Sequence, residues 1–285
     1  MKKGNVGKKT KLVATLLVAG GFALLNPLQG HAEPSTEEKW DQYHSVQVSP
    51  EFLYGGFRSD EGYIKASAND NLVFKDDFLK IKEFRGEAFN RPASIDGFSV
   101  FKNLEVMTFE GGLVSDFRPI KSLKNVTHFN MFGSNNNTLI DFKDWDKIES
   151  FQYTETENSE GEIALTDISA LSNKENLKGI KINTDGNLPT IKLSKRHNRY
   201  ELFDPIILSD QFKSKIKYSN VSVDFNEDAD SNEGDFTATV SEEGLITWEN
   251  IPTTAANLKF IAEVGQYPDN YNYYGTISIP IKWVD

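Results

Sequence analysis

The chain has 285 residues, 38% of them hydrophobic and 26% charged, with a net charge of −11 and no cysteine. That balance suits a folded chain and is too apolar for a disordered one. The missing cysteines exclude a disulfide scaffold, a thiolate zinc site, an iron–sulfur cluster and a cysteine nucleophile, while the acidic balance argues against nucleic acid, whose binders need a basic stripe.

Residues 1–32 read as a secretory signal peptide. Lys2, Lys3, Lys8, Lys9 and Lys11 precede an apolar run from Leu12 to Leu25, and Gly30-His31-Ala32 supplies small residues at a cleavage site. The apolar run spans 14 residues, short of the roughly 20 that a membrane span needs. Cleavage removes five lysines and no acid, so the mature chain carries −16. The expectation is a secreted, extracellular protein, at most loosely associated with a cell surface, with no membrane insertion after cleavage. A signal peptide with no cysteine after it favours a Gram-positive origin. About 250 residues can bury enough surface to do without staples, and a monomer is expected.

Residues 33–91 read as an atypical N-terminal cap region of short extended pieces. Leu72–Phe74 and Phe78–Ile81 are examples, broken by Gly55-Gly56 and by Asn69-Asp70-Asn71.

Residues 92–187 carry a repeat. Met107-x-Phe109, Phe129-x-Met131 and Phe151-x-Tyr153 are apolar pairs 22 residues apart, and Ile180-x-Ile182 follows 29 later. Between them an Asp precedes an apolar residue at Asp116-Phe117, Asp141-Phe142 and Asp167-Ile168. Apolar residues at steps of three then lead into the next pair, as in Ile120, Leu123 and Val126. Steps of two place both side chains of a short strand on one face, and steps of three suit a 3₁₀-like return. One strand and one return per coil is a leucine-rich repeat solenoid, in which stacked neighbours supply the core. The gap from strand to Asp grows along the repeat through Ser134–Thr138 and Thr154–Glu162. These insertions belong either to a binding face or to a repeat that tolerates drift.

Residues 188–285 read as all-β. Ile206–Leu208, Val221–Phe225, Phe236–Val240, Leu245–Trp248, Leu258–Val264 and Thr276–Ile281 are strand candidates separated by polar or Gly/Pro turns, and such spacing argues for a sandwich with Trp248 in its core. The fold class expected is therefore α+β or mainly β: a short leucine-rich repeat solenoid followed by a β-sandwich.

Chemistry is sparse. His44, His128 and His197 are scattered, and neither a metal-ligand spacing, a nucleophile elbow nor a phosphate loop is present. The chain reads as no enzyme, with no cofactor, no metal and no catalytic residues. Asp224 to Asp235 alternates oxygen ligands as an EF-hand loop does, but Ala229 stands where a Gly is needed and strands flank it. A solvated hairpin loop is preferred to a calcium site.

Val114 to Met131, and Leu165 to Leu171 followed by Asn176 to Ile182, resemble the repeat of bacterial internalins. Gly244 to Pro252, Asn257 to Phe260 and Gly275 to Lys282 resemble the end of the immunoglobulin-like domain fused behind those repeats. The resemblance covers about residues 92 to 285 and implies an Ig-like sandwich over 188–285. Two departures stand out: no helical N-terminal cap is evident, and the Asn that usually follows each strand is mostly missing, with Gly112 and Ser134 near its place.

On each solenoid strand the residue between the core positions, and the next one on, faces the concave side. That gives Thr108, Glu110, His128, Asn130, Phe132, Gln152, Thr154, Lys181 and Asn183 as partner-binding candidates. Phe132, an aromatic where exposure is expected, is the candidate anchor; otherwise it packs under the Asn-rich insertion. The resemblance implies a non-enzymatic protein-binding module, a host-interaction or virulence factor whose partner is a host protein or a bacterial surface protein. A structural component of a cell-surface assembly and a wall carbohydrate-binding protein are the alternatives.

Overall fold

A computed structural model describes residues 45–47, 57–60, 62–64, 72–86, 95, 97–109, 114, 116–133, 136, 138–155, 163–225, 235–265 and 270–285. The signal segment, Glu110, Gly112, Ser134 and most of the acidic loop lie outside these residues. Among them the fold is mainly β, with one α-helical turn at Lys75–Phe78.

Four short strands come first: β1 (Ser45–Gln47), β2 (Phe57–Ser59), β3 (Gly62–Ile64) and β4 (Leu72–Phe74). Five solenoid strands follow: β5 (Glu83–Gly86), β6 (Val106–Phe109), β7 (His128–Phe132), β8 (Ser150–Thr154) and β9 (Gly179–Asn187). The remainder are β10 (Ile191–Ser194), β11 (Tyr200–Phe203), β12 (Lys217–Phe225), β13 (Thr237–Val240), β14 (Leu245–Glu249), β15 (Ala255–Val264) and β16 (Tyr271–Val284).

Strands β5 to β9 pair in parallel, each with the next, so that Phe84, Met107, Phe129, Phe151 and Ile180 stand in one register row. That row and the one beginning at Phe109, Met131, Tyr153 and Ile182 are buried. The steps of three become 3₁₀ turns at Phe98–Val100, Arg118–Ile120, Ile140–Phe142 and Ser169–Leu171, which turn Phe98, Val100, Ile120, Phe142 and Leu171 into the same core and leave Ile140 exposed. Two of the Asp residues set these turns. Asp116 Oδ1 accepts from the Arg118 amide at 3.0 Å, and Asp167 Oδ1 from the Ser169 amide at 3.0 Å. A side-chain oxygen bonding two residues ahead offers the backbone a turn in place of a strand. The Arg118 guanidinium, donating to both carboxylate oxygens, holds Asp116 below the usual carboxylate range.

Between the coils runs a core of aromatic rings. Phe129 contacts Phe109, Phe117, Phe142, Trp145 and Phe151 at centroid distances of 5.0–6.3 Å. Offset and edge-on pairs of this kind each add about 0.5–1.5 kcal/mol beyond burial. A cysteine-free chain relies on such packing.

The side-chain ladder that joins the coils sits ahead of the strands, three residues before each. Asn103 Nδ2 donates to Leu79 O, Asn125 Nδ2 to Lys102 O and Asn176 Nδ2 to Asp146 O, at 2.8–3.1 Å. Lys147 takes the ladder place in the intervening coil and donates to Asn125 Oδ1 at 2.7 Å.

The parallel sheet includes β5, so the coils begin ahead of residue 92, and antiparallel β2 covers the outer edge of β5. Leu72–Phe74 is extended as expected, whereas Phe78 to Ile81 is not. Phe78 closes the helical turn and Ile81 follows the turn residues Leu79 and Lys80, a route that buries both Phe78 and Ile81.

At the other end β16 pairs in parallel with β9 over Tyr271 to Ser278, and then with β10. Strands β15 and β12 extend the same sheet in antiparallel fashion. A three-stranded sheet, β11-β14-β13, stands apart from it, and Trp248 of β14 reaches Phe260 of β15 edge-on at 6.2 Å. Trp248 is fully buried, with its Nε1 donating to Ser222 O. The strand expected over Ile206–Leu208 is reduced to a single bridge from Ile207 to Asp167, while β10 and β11 are strands the alternation does not announce.

Candidate functional site

The outer face of the parallel sheet follows from strand alternation: residues between buried positions point away from the core. Arg85, Thr108, Asn130, Gln152, Lys181 and Asn272 form one register row across β5 to β9 and β16. The next row along the strands runs Phe132, Thr154, Asn183 and Tyr274. His128 lies in the row before, beside Ser150. Eight of the nine expected site residues therefore share this face, and Glu110 is outside the described residues. His128, Lys181 and Asn183 are exposed; Thr108, Asn130, Phe132, Gln152 and Thr154 are half-buried.

The electrostatics of the face are weak for so charged a chain. Most of its side chains are amides and hydroxyls. Arg85 is engaged by Glu83 on the same strand. Below the His128 row, Lys178 pairs with Glu149 at 2.7 Å across two coils and draws the Glu149 carboxyl below its ordinary pKa. Thr127 Oγ1 contacts His128 Nδ1 at 2.9 Å. Asn130 Oδ1 is buried and meets no hydrogen-bond partner among the described residues.

One buried residue escapes the pattern. Glu155 follows Tyr153 at core parity, where its carboxylate accepts from the Thr184 hydroxyl, from the Asp185 amide at 2.9 Å and from the Tyr153 hydroxyl. Thr184 Oγ1 in turn accepts from the Leu165 amide at 2.9 Å, and the Asn136 amide donates to the Tyr153 hydroxyl at 3.1 Å. This network fixes the strand ends that flank the two insertions. Its signal in the sequence is an acid two residues beyond a core aromatic.

No family description matches the chain, and no curated protein does. Among solved structures, the internalin InlF of Listeria monocytogenes is 18% identical over 41% of this chain and 32% of its own, with a TM-score of 0.35. The functional domain of InlJ from the same organism, which includes a cysteine ladder, is 14% identical over 64% of this chain and 40% of its own, with a TM-score of 0.36. A Listeria monocytogenes internalin-like protein is 13% identical over 76% of this chain and 92% of its own, with a TM-score of 0.20. The chain thus spans under half the length of the first two.

Chemically, the face offers hydrogen-bond donors and acceptors on a rigid support, with an aromatic residue on β7 and another on β16. Among the described residues no cluster of metal-ligating side chains occurs, and no helix is long and apolar enough to cross a membrane.

Proposed function

We propose that this chain is a secreted, non-enzymatic protein-binding module of the internalin-like type, which docks its partner on the outer face of the solenoid sheet. In this reading residues 1–32 are the signal peptide, 33–91 form the cap region, 92–187 hold the main run of coils, and 188–285 form an Ig-like sandwich that stiffens the last coil. Thr108, Glu110, His128, Asn130, Phe132, Gln152, Thr154, Lys181 and Asn183 are the docking residues. The partner is a protein of a host, which would make the chain a virulence factor, or one on the producing cell's surface.

The observation that carries the proposal is Asn130. Its carbonyl oxygen is buried in the middle of the face with no hydrogen-bond partner among the described residues, and a buried acceptor left unmade costs about 1–3 kcal/mol. Rotation of the half-buried Asn130 amide turns that oxygen to the outer face, where a donor on a bound protein offsets the cost. Half-buried Phe132, two residues further on, supplies apolar area beside it.

Affinity capture tests this. Residues 33–285, and a Phe132→Asp, His128→Ala variant, are exposed to host-cell lysate and to the producer's envelope fraction. A protein held by the wild type and lost by the folded variant supports docking on this face. Equal capture of envelope proteins by both forms moves first place to the structural-component reading.

A further inference from the structure

The sheet does not end where the coils end. Strand β16 continues it in register, so Asn183 of the last coil lies directly opposite Tyr274, and Lys181 opposite Asn272. Tyr274 stands at outer parity with 38% of its surface exposed, between the buried residues Tyr273 and Gly275. It shares a row with Phe132, three strands away, which is about 14 Å at the usual strand spacing. Aromatic residues supply most interface anchors, and this row has one toward each end.

Charge adds a second observation. Arg85, Lys178 and Lys259 each have a carboxylate partner, from Glu83, Glu149 and Asp224. Lys181, exposed between Gln152 and Asn272, has no ion pair among the described residues. The nearest acid on its own strand at outer parity is Asp185, four residues on and about 13 Å away along the strand. Glu263 lies one strand beyond Tyr274, opposite Lys217. An uncommitted cation thus sits between the two aromatic residues of a chain whose net charge is −11.

We infer that the docking face crosses onto β16, and that it takes an extended acidic segment of a protein partner, with a carboxylate on Lys181 and apolar side chains on Phe132 and Tyr274. This rests on the protein-binding reading given above and narrows it. The spacing supplies the pattern: in an extended peptide residues i, i+2 and i+4 share one face, and i to i+4 spans about 14 Å. The segment therefore carries apolar, acidic and apolar residues at alternate positions. The complementarity is local, because the overall charge of the chain repels acidic surfaces.

The test is a titration of the isotope-labelled chain with the end-blocked peptide Gly-Ser-Leu-Ser-Asp-Ser-Leu-Ser-Gly, followed by amide shifts. The inference expects shifts in residues 272–276 together with 130–132 and 181–183. It expects at least tenfold weaker binding for Lys181→Glu and for Tyr274→Ala, near-normal binding for Tyr274→Phe, and none for the peptide with Lys in place of Asp. Both altered side chains are exposed, and unchanged thermal midpoints verify the folds. Absence of binding, or binding that Lys181→Glu leaves unchanged, overturns the inference. Shifts confined to the coils, with 272–276 silent, overturn the extension onto β16 and leave the protein-binding reading standing. Binding of a neutral chitin oligosaccharide at the same amides, with the peptide inert, overturns both.

Discussion

The hydroxyl of Tyr273, on the last strand of the chain, donates to the carbonyl of Leu165 at 2.8 Å, inside the fourth coil. The bond spans 108 residues of sequence and is fully buried. Together with the β9–β16 register it fastens the C-terminal sheet to the solenoid core, so that the outer face is carried on one support.

This bond predicts how the fold responds to alkali. Burial, and then the nearby Glu155 charge, push the Tyr273 hydroxyl above the ordinary tyrosine range. Burial does the same to Tyr218, helped by Asp204, which accepts from it at 2.7 Å. A raised folded pKa means that the neutral phenol is favoured in the native state. Stability from these groups is therefore complete below the unfolded tyrosine value of about 10 and is lost as pH climbs above it. Tyr273→Phe should be less stable than the wild type at pH 7, yet lose stability less steeply above pH 10, by about 1.4 kcal/mol per pH unit. Urea unfolding from pH 7 to 11 measures both quantities. Equal alkaline slopes would sink the assignment.

Gly186 lies on β9 against the segment that returns from the second insertion. A Cβ built there would come within 2.6 Å of the Ala164 backbone nitrogen and 2.9 Å of the Ile163 carbonyl carbon. Neither is a flexible side-chain end, so Gly186→Ala must push the two backbone segments apart. A cost of about 1–3 kcal/mol is expected from overpacking of this kind. It should appear as a lower urea midpoint with an unchanged m-value.

Asn130 should separate stability from function. Replacing it with Leu removes a buried oxygen that has no partner among the described residues, so the folded state is expected to hold its stability or gain up to about 1 kcal/mol. Partner binding should weaken at least tenfold. Chemical denaturation and binding measured on the same sample check the pair. A Leu variant that binds normally would show that the oxygen has no role in docking.

Asn125 is the middle of the pre-strand ladder, donating to Lys102 O at 2.9 Å and accepting from Lys147. Asn125→Ala is expected to cost about 1 kcal/mol by leaving a half-buried carbonyl unmade. Asn125→Asp keeps the acceptor for Lys147 but not the donor, so it should recover only some of the loss. Urea midpoints of the three chains rank them.

The coils are legible in the sequence because one period recurs in order: Met107, Phe129, Phe151 and Ile180 stand in the row that their spacing predicts. The outer positions follow from that parity alone. The Asn that the sequence mostly lacks after the strands has a counterpart ahead of them among the described residues, where the Asn of each Asn–apolar pair reaches back to the carbonyl of the previous coil. The coil containing β5 escapes the period: Glu83-Phe84-Arg85-Gly86 offers one core aromatic and a glycine where its neighbours have an apolar pair. Phe78 to Ile81 reads as extended although it turns, because a short apolar run carries no period that tells a turn from a strand. The place of Tyr274 on the outer face of the sheet is invisible to spacing within the repeat. It follows from β16 pairing with β9, a contact between residues about 90 apart in sequence that no local pattern encodes.

The central claim is that a partner covers the outer face of this sheet, and the absence of native cysteine allows a clean footprint. Single-cysteine variants Gln152→Cys and Asn183→Cys place a thiol on that face, and Lys121→Cys places one at the exposed position just after the turn Arg118–Ile120. Alkylation rates are measured with and without the captured partner protein. The account predicts at least tenfold slowing at positions 152 and 183 and no change at 121. Slowing at 121, with 152 and 183 unaffected, would contradict it.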